Sequence, residues 1–412
     1  MAFVNLFASS TSALRSNASA FKVIGDNIAN SVTPGYKAAD TRFVEVLTAT
    51  ASGIYESYGG VRPSVQNFID KQGTLEQTQR ALDVALVGRG FLVSNTEVDG
   101  SGQYQLGRAG QFISTAVLNG SAEESYLTDT TGAFILGWQA DASGTINTGT
   151  DISSLSAIRV DPASVQYEPV ATTVGSYNAI LPADEAAGTV RTGSMPVIDV
   201  EGVQHALSLQ FTKSATPYTW DLVTSVSDGT VTAGSPVTLT FDVDGTLLTP
   251  TSQPIGLAFS GTGGSTSVNM DLSAMRELGA PFTTVGFSQN GIPAGELRSL
   301  SFDENGVLSG LFSNGLTRTL YKLPVGMVQS PNLLDPIDGT HFALTDKSGA
   351  LTLFDAAATG MASFAPGTLE QSTTDLSAEF NKMIQTQQSY STAVRAYTVA
   401  EEMTRVATQL KS

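Results

Sequence analysis

His205 and His341 are the only imidazoles available for acid–base or metal chemistry, and neither has a second ligand or a catalytic neighbour at a motif spacing. Each is therefore expected to be a surface or satisfied structural histidine. The run VGRGFLV (87–93) begins like a phosphate-binding glycine loop, in which glycines let the backbone approach a phosphate. Val93 stands where the third glycine belongs, so the run reads as a tight turn into a strand. FDVDGT (241–246) begins like a calcium loop but lacks the third oxygen ligand before its glycine, and it reads as a hairpin turn. Glu123-Glu124 and Glu401-Glu402 are neighbours in sequence, which does not set two carboxylates across a reacting bond. With no cysteine, thiol catalysis, thiolate metal sites and disulfides are excluded together. No catalytic, cofactor-binding or metal-ligating residue is assigned, no cofactor is expected, and the chain reads as a non-enzyme.

The elements have to position something other than chemistry. A chain of 412 residues exceeds what one hydrophobic core fills, so more than one packed unit is expected. Charged residues are only 14% of the chain, and Ser, Thr, Asn, Gln and Gly take the polar positions, a composition suited to strands and turns. A net charge of −17 without a Lys/Arg run leaves nothing to neutralise phosphates, so nucleic acid is not a partner. No stretch approaches the length of a membrane span, and Asn5, Ser9-Ser10-Thr11-Ser12 and Arg15 interrupt any secretory-signal pattern at the N-terminus.

Helical spacing occurs at the two ends. Phe7, Leu14, Phe21 and Ile28 recur every seven residues, with Phe3 and Ile24 between them and alanines alongside. Asn30 closes this helix, and Pro34-Gly35 supplies the central residues of a type II turn. Leu376, Phe380, Met383, Gln387, Tyr390, Val394 and Tyr397 alternate by four and three, and the pattern continues through Ala400, Met403, Val406 and Leu410. Ser372 to Asp375 offer N-caps, with Ser372 and Asp375 spaced as a weak capping box. Between the ends, short apolar or alternating runs are punctuated by Asp228-Gly229, Asp244-Gly245, Asn305-Gly306 and Asn314-Gly315, which read as β-hairpins. Softer stretches lie at roughly 142–160 and 355–375. The fold class is mixed and mainly β, with helical termini nested around β-rich domains. Terminal stripes of this kind serve either an intramolecular core or contacts with other copies.

Asp26-Asn27-Ile28-Ala29-Asn30 with Thr33-Pro34-Gly35-Tyr36-Lys37 resembles the N-terminal signature of the flagellar rod and hook axial proteins, with Val32 in place of a second asparagine. Leu82-Asp83-Val84-Ala85 with Gly88-Arg89-Gly90-Phe91, and Arg108-Ala109-Gly110-Gln111-Phe112 followed by Leu136-Gly137-Trp138, are similar to the same family. So is Gln387-Gln388-Ser389-Tyr390 with Glu401-Glu402-Met403, where Gln388 replaces a common arginine. The length, and the return GIPAGELRSLSF (291–302), resemble the hook proteins most closely.

The resemblance implies a structural subunit of a flexible, curved tube that joins rod to filament and transmits torque as a universal joint. The terminal helices would pair in a coiled-coil-like inner domain (1–30 and 372–412) lining the channel. Linkers (31–70 and 355–371), a β-rich middle domain (71–145 and 291–354) and a β-rich outer domain (146–290) would follow outward. Phe7, Leu14, Phe21, Ile24, Ile28, Leu376, Phe380, Met383, Tyr390, Val394, Tyr397 and Met403 are the expected assembly interface, and Asn27, Asn30, Pro34, Gly35 and Tyr36 form the family turn. Implied partners are copies of the chain, rod and hook–filament junction proteins, the hook cap and the flagellar export apparatus, without membrane insertion. The implied location is the extracellular hook, reached without a cleaved signal peptide. The alternatives are a distal rod or hook-associated junction protein, and an extracellular β-rich adhesin or enzyme with a helical stalk.

Overall fold

Residues 2–29 contain no proline and no glycine before Gly25, and they form one helix, α1 (Ala2–Ala29). The computed structural model describes residues 2–46, 48–49, 55–56, 60–119, 122–141, 143–162 and 165–409. It divides into two compact units, one of residues 1–161, 300–310 and 319–412 and the other of residues 162–299 and 311–318.

In the first unit α1 ends where a type II turn begins. The Tyr36 N–H donates to the Thr33 carbonyl at 3.3 Å, and Gly35 takes φ 75°, which the third residue of such a turn requires. The chain then forms an antiparallel ribbon, Ala39–Glu45 against Val61–Asn67. It enters a β body in which the strands 317–322, 134–139, 92–95, 104–107 and 341–343 lie side by side. Phe91, Val93, Leu106, Leu136, Trp138 and Leu353 fill its core. The expected turn into a strand at VGRGFLV is present: Gly90 has φ 124° and the strand Leu92–Asn95 follows. One helical turn, α2 (Ala356–Thr359), precedes the strands Ala362–Pro366 and Thr368–Glu370, which pair with Val84–Gly88 and Leu75–Gln77.

The last element of this unit is α3 (Leu376–Gln409), 34 residues and about 50 Å long. Its N-cap is Asp375, whose carboxylate accepts from the N–H groups of Ser377 and Ala378 at 2.9 and 3.1 Å. Ser372 spends its hydroxyl on Thr374 instead of the helix.

The second unit contains a five-stranded antiparallel sheet (190–198, 204–213, 219–226, 237–241 and 247–249) and a six-stranded sheet built around Val174–Pro182. Strict alternation in Gln204–Lys213 turns His205, Leu207, Leu209, Phe211 and Lys213 inward. Leu207, Leu209 and Phe211 join Tyr177, Trp220, Leu222, Leu257, Val268 and Met270 in one core. Lys213 pairs there with Glu277, and Trp220 Nε1 donates to the same carboxylate at 3.1 Å, so the buried charges are partnered. The fold is mainly β with helical ends, as its composition and hairpin signals anticipated. Asp244-Gly245, Asn305-Gly306 and Asn314-Gly315 all sit in turns with the glycine at positive φ, whereas Asp228-Gly229, expected to be a hairpin, passes the chain from the five-stranded to the six-stranded sheet.

Both histidines are structural. His205 contacts Asp199 at 3.1 Å and stacks on Phe259. His341 is 3% exposed, with Nε2 at 2.8 Å from Asp129 and Nδ1 at 3.0 Å from Asp338. Burial alone would depress its pKa; hydrogen bonds and charge from the two carboxylates prevail and raise it to about 9, while both aspartates are held below their ordinary range. Because the folded pKa lies above the unfolded one, this contribution is complete below about pH 6.5 and is lost as pH rises through about 9. The calorimetric midpoint of the first unit should therefore fall between pH 6.5 and 9.5, by an amount corresponding to up to about 3 kcal/mol. His341→Gln should flatten that slope; an unchanged slope would contradict the assignment.

Candidate assembly interface

The family-turn residues build the root of α1. Asn27 is 1% exposed, and its Nδ2 donates to the Ala39 carbonyl at 2.8 Å. Its Oδ1 accepts from the Ala39 N–H at 3.1 Å and from the Tyr36 hydroxyl at 3.2 Å. Asn30 donates to the Asp26 carbonyl and accepts from Thr33, closing the helix end before Pro34. A Cβ on Gly35 would lie 2.5 Å from the Ala109 nitrogen, so both the φ and the close approach demand glycine. Tyr36 is buried; burial first, then the charges of Asp26 and Glu379, push its hydroxyl pKa up to about 12.

Next to the turn, Lys37 reaches Glu370 at 2.5 Å and the Lys71 carbonyl at 2.6 Å. Arg108 reaches the other oxygen of Glu370 at 3.2 Å and donates to the carbonyls of Leu86 and Gly88. All three charged side chains are 2% exposed or less. Burial pushes the pKa values of Lys37 and Arg108 down, and Glu370 pulls both back up. Lys37 and Arg108 belong to the sequence motifs, whereas Glu370 carried no sequence signal, because its partners lie hundreds of residues away.

From this root α1 and α3 run antiparallel. Phe21 packs edge-on against Tyr390 at 6.3 Å and Phe7 against Tyr397 at 5.4 Å. The seam on α1 is Asn17, Ala20, Ile24 and Asn27, all buried, with Phe7, Leu14, Phe21 and Ile28 half-buried along one side. On α3 the covered line is Glu379, Lys382, Thr386, Ala393, Ala400 and Thr404, mostly small or polar. Lys382 also ties the ribbon to α3, contacting Asp40 at 3.2 Å and Glu379 at 3.0 Å.

The apolar stripe of α3 is turned about 80° from that seam, taking about 100° per residue. Met383 is half-buried, but Leu376, Phe380, Tyr390, Val394 and Tyr397 keep between 37% and 51% of their surface exposed. Ile384, Val399, Met403 and Val406 form a second apolar set on another face, each about half exposed. Leu410 and the side chain of Phe3 lie outside the described residues. Thus the sequence-expected residues of α1 line its own helix pair; on α3, Tyr390 and Tyr397 meet that pair with one edge, Met383 is half-buried, and Leu376, Phe380, Val394 and Met403 are exposed. Among the described residues no group of three His, Asp or Glu side chains is placed to hold a metal ion. No described helix is long and apolar enough to cross a membrane.

Three family models match the chain. They are a flagella basal body rod protein model over residues 7–37, the flagellar basal body protein FlaE D2 domain over 165–292, and the flagellar basal body rod FlgEFG protein C-terminal model over 365–410. The flagellar hook protein FlgE of Rhizobium meliloti is 28% identical over 412 residues, covering 97% of each chain. That of Brucella suis is 28% identical over the whole of both chains. That of Escherichia coli is 28% identical, covering 93% of this chain and 94% of its own.

The root geometry makes a local test. Gly35→Ala adds a Cβ against the Ala109 main chain at a strained φ, and should destabilise the first unit by about 1–3 kcal/mol. Val32→Ala, one turn-length away and 79% exposed, should cost less than about 0.5 kcal/mol. Equal denaturation midpoints for the two variants would show that the turn does not hold the root.

Proposed function

Because the chain belongs to the flagellar hook protein family, we infer that it acts as a structural subunit of the hook and not as an enzyme, and we propose how its helices build the polymer. One observation carries the proposal: apart from the edge contacts of Tyr390 and Tyr397 with α1, the apolar stripe of α3 stays in water, and the rest of its covered line is small or polar. A stripe serving an intramolecular core would be covered. Large exposed apolar patches on a chain that forms a polymer are contact surfaces for neighbouring copies.

In this reading α1 and α3 (within 1–30 and 372–412) form the inner tube, and the exposed faces of α3 pack on at least two neighbours. Phe7, Leu14, Phe21, Ile24 and Ile28 support the pair from within. Tyr390 and Tyr397 pack on Phe21 and Phe7 within the pair and, with Leu376, Phe380, Met383, Val394 and Met403, turn their exposed surface to other subunits. Segments 31–70 and 355–371 link the helices to a middle domain (71–145 and 291–354), and residues 146–290 are the outer domain. The outer contacts slide as the hook bends while the inner helices keep the tube closed. Export through the flagellum's own channel, and contacts with rod, cap and junction proteins, are parts of the proposal that rest on family membership.

Val394→Asp tests it. Val394 is 37% exposed, so the variant monomer should keep its thermal midpoint within about 0.5 kcal/mol of the parent. Placing that charge in a subunit seam costs on the order of several kcal/mol at every contact, so precipitant-induced tubes should not form. Phe21→Asp should also abolish tubes while leaving the second unit folded. Normal tubes from Val394→Asp, seen by electron microscopy, would overturn the reading.

A further inference from the structure

In the first unit both terminal segments meet on one carboxylate. Glu370 lies six residues before α3 and Lys37 eight residues after α1. Glu370 Oε1 accepts from Lys37 Nζ at 2.5 Å and from the Gly73 N–H at 2.7 Å, and Oε2 accepts from Arg108 at 3.2 Å. Its main-chain carbonyl accepts from the Gly35 N–H at 2.7 Å. The contacts continue one step outward, where the Thr373 N–H donates to the Tyr36 carbonyl and the Ala38 N–H to the Thr373 hydroxyl. Among the described ion pairs, Lys37 and Arg108 have no carboxylate other than Glu370.

The consequence is electrostatic. If the C-terminal segment leaves, Arg108 loses its carboxylate and Lys37 keeps only the weaker attraction of Asp70. If the N-terminal segment leaves, Glu370 loses Lys37 and the Gly35 N–H together. Removing one member of a buried charged group is far more costly than removing the group, so the half-docked states are disfavoured. Main-chain pairing alone would not do this, since each strand could fray independently.

We infer that Glu370 is a coupling residue that makes the roots of α1 and α3 dock on the β body as one event. A subunit then presents both helices or neither. The meaning of this for polymer growth rests on the assembly reading above; the coupling itself is a property of the monomer and is tested there.

The experiment is hydrogen–deuterium exchange on the full-length monomer and on its Lys37→Met and Glu370→Gln variants. Lys37→Met, a change in the N-terminal segment, should lower the protection of residues 368–373 and of the first turns of α3 by about 100-fold, as much as that of residues 27–39. Loosening of 27–39 alone would overturn the inference, as would undiminished protection of both segments in Glu370→Gln. The strands Leu92–Asn95 and Tyr104–Gly107 report on the body itself. If Lys37→Met exposes these too, the triple variant Lys37→Met/Arg108→Met/Glu370→Met, which leaves no member of the group charged and unpaired, decides: recovery of both segments together supports coupling, and recovery of one without the other refutes it. Failure of the Val394→Asp experiment would leave this result untouched.

Discussion

A long helix that touches its own chain along one seam leaves its remaining apolar side chains in water, and that incomplete burial governs this molecule. Nine large side chains of α3 keep more than a third of their surface exposed. Covering each gains on the order of 1 kcal/mol, since full burial of such a side chain is worth about 1.5–3 kcal/mol. A neighbour that covers one face of α3 therefore gains several kcal/mol from it, and a tube repeats that gain at every subunit. The seam with α1, made of alanine, threonine and two aromatic edge contacts, brings the backbones close but leaves most of the apolar surface of α3 uncovered. Apolar burial inside the chain is thus incomplete, and in the proposed tube neighbouring copies complete it.

If burial does not hold the helix pair, directional contacts must set where it begins. Asn27 makes three hydrogen bonds that join the end of α1 to Tyr36 and to the first residue of the ribbon. Glu370 gathers Lys37, Gly73 and Arg108, and Lys382 bridges the ribbon and α3. Buried polar networks add little net stability, but they allow one geometry only, because any displacement leaves donors and charges unmatched. The proposed tube needs such a fixed starting point: helices about 40–50 Å long amplify any error at their base. The β cores of the two units are built differently, from alternating strands whose inward residues are nearly all apolar.

Local signals were legible in the sequence. The periodic stripes marked both long helices, Pro34-Gly35 marked a type II turn that the Gly35 φ and the Tyr36–Thr33 bond bear out, and three of the four Asn-Gly and Asp-Gly pairs marked hairpins, Asp228-Gly229 instead joining strands of different sheets. Periodicity tells which residues share a face, not what covers that face. It grouped Phe380, Tyr390, Val394 and Tyr397 correctly, but of these the two tyrosines touch α1, and the covered line also runs through Glu379, Ala393 and Ala400, whose small or polar side chains carry no hydrophobic signal. Asp375 rather than Ser372 caps α3, a choice between adjacent candidates that depends on where the preceding strand ends. Glu370 sits in a stretch that reads as soft linker. Its role arises from Lys37, Gly73 and Arg108, and long-range polar matching leaves no periodic trace.

The absence of cysteine permits one clean measurement of the central claim. A single Val394→Cys substitution is reacted with a maleimide in the monomer and again in assembled tubes, with Val243→Cys, a 73% exposed position in a turn of the second unit, as a reference. The account expects both cysteines to react readily in the monomer, and Val394→Cys to become protected in the tube when compared with Val243→Cys. Equal labelling of Val394→Cys in monomer and tube would mean that no subunit covers the stripe, and the account would be wrong.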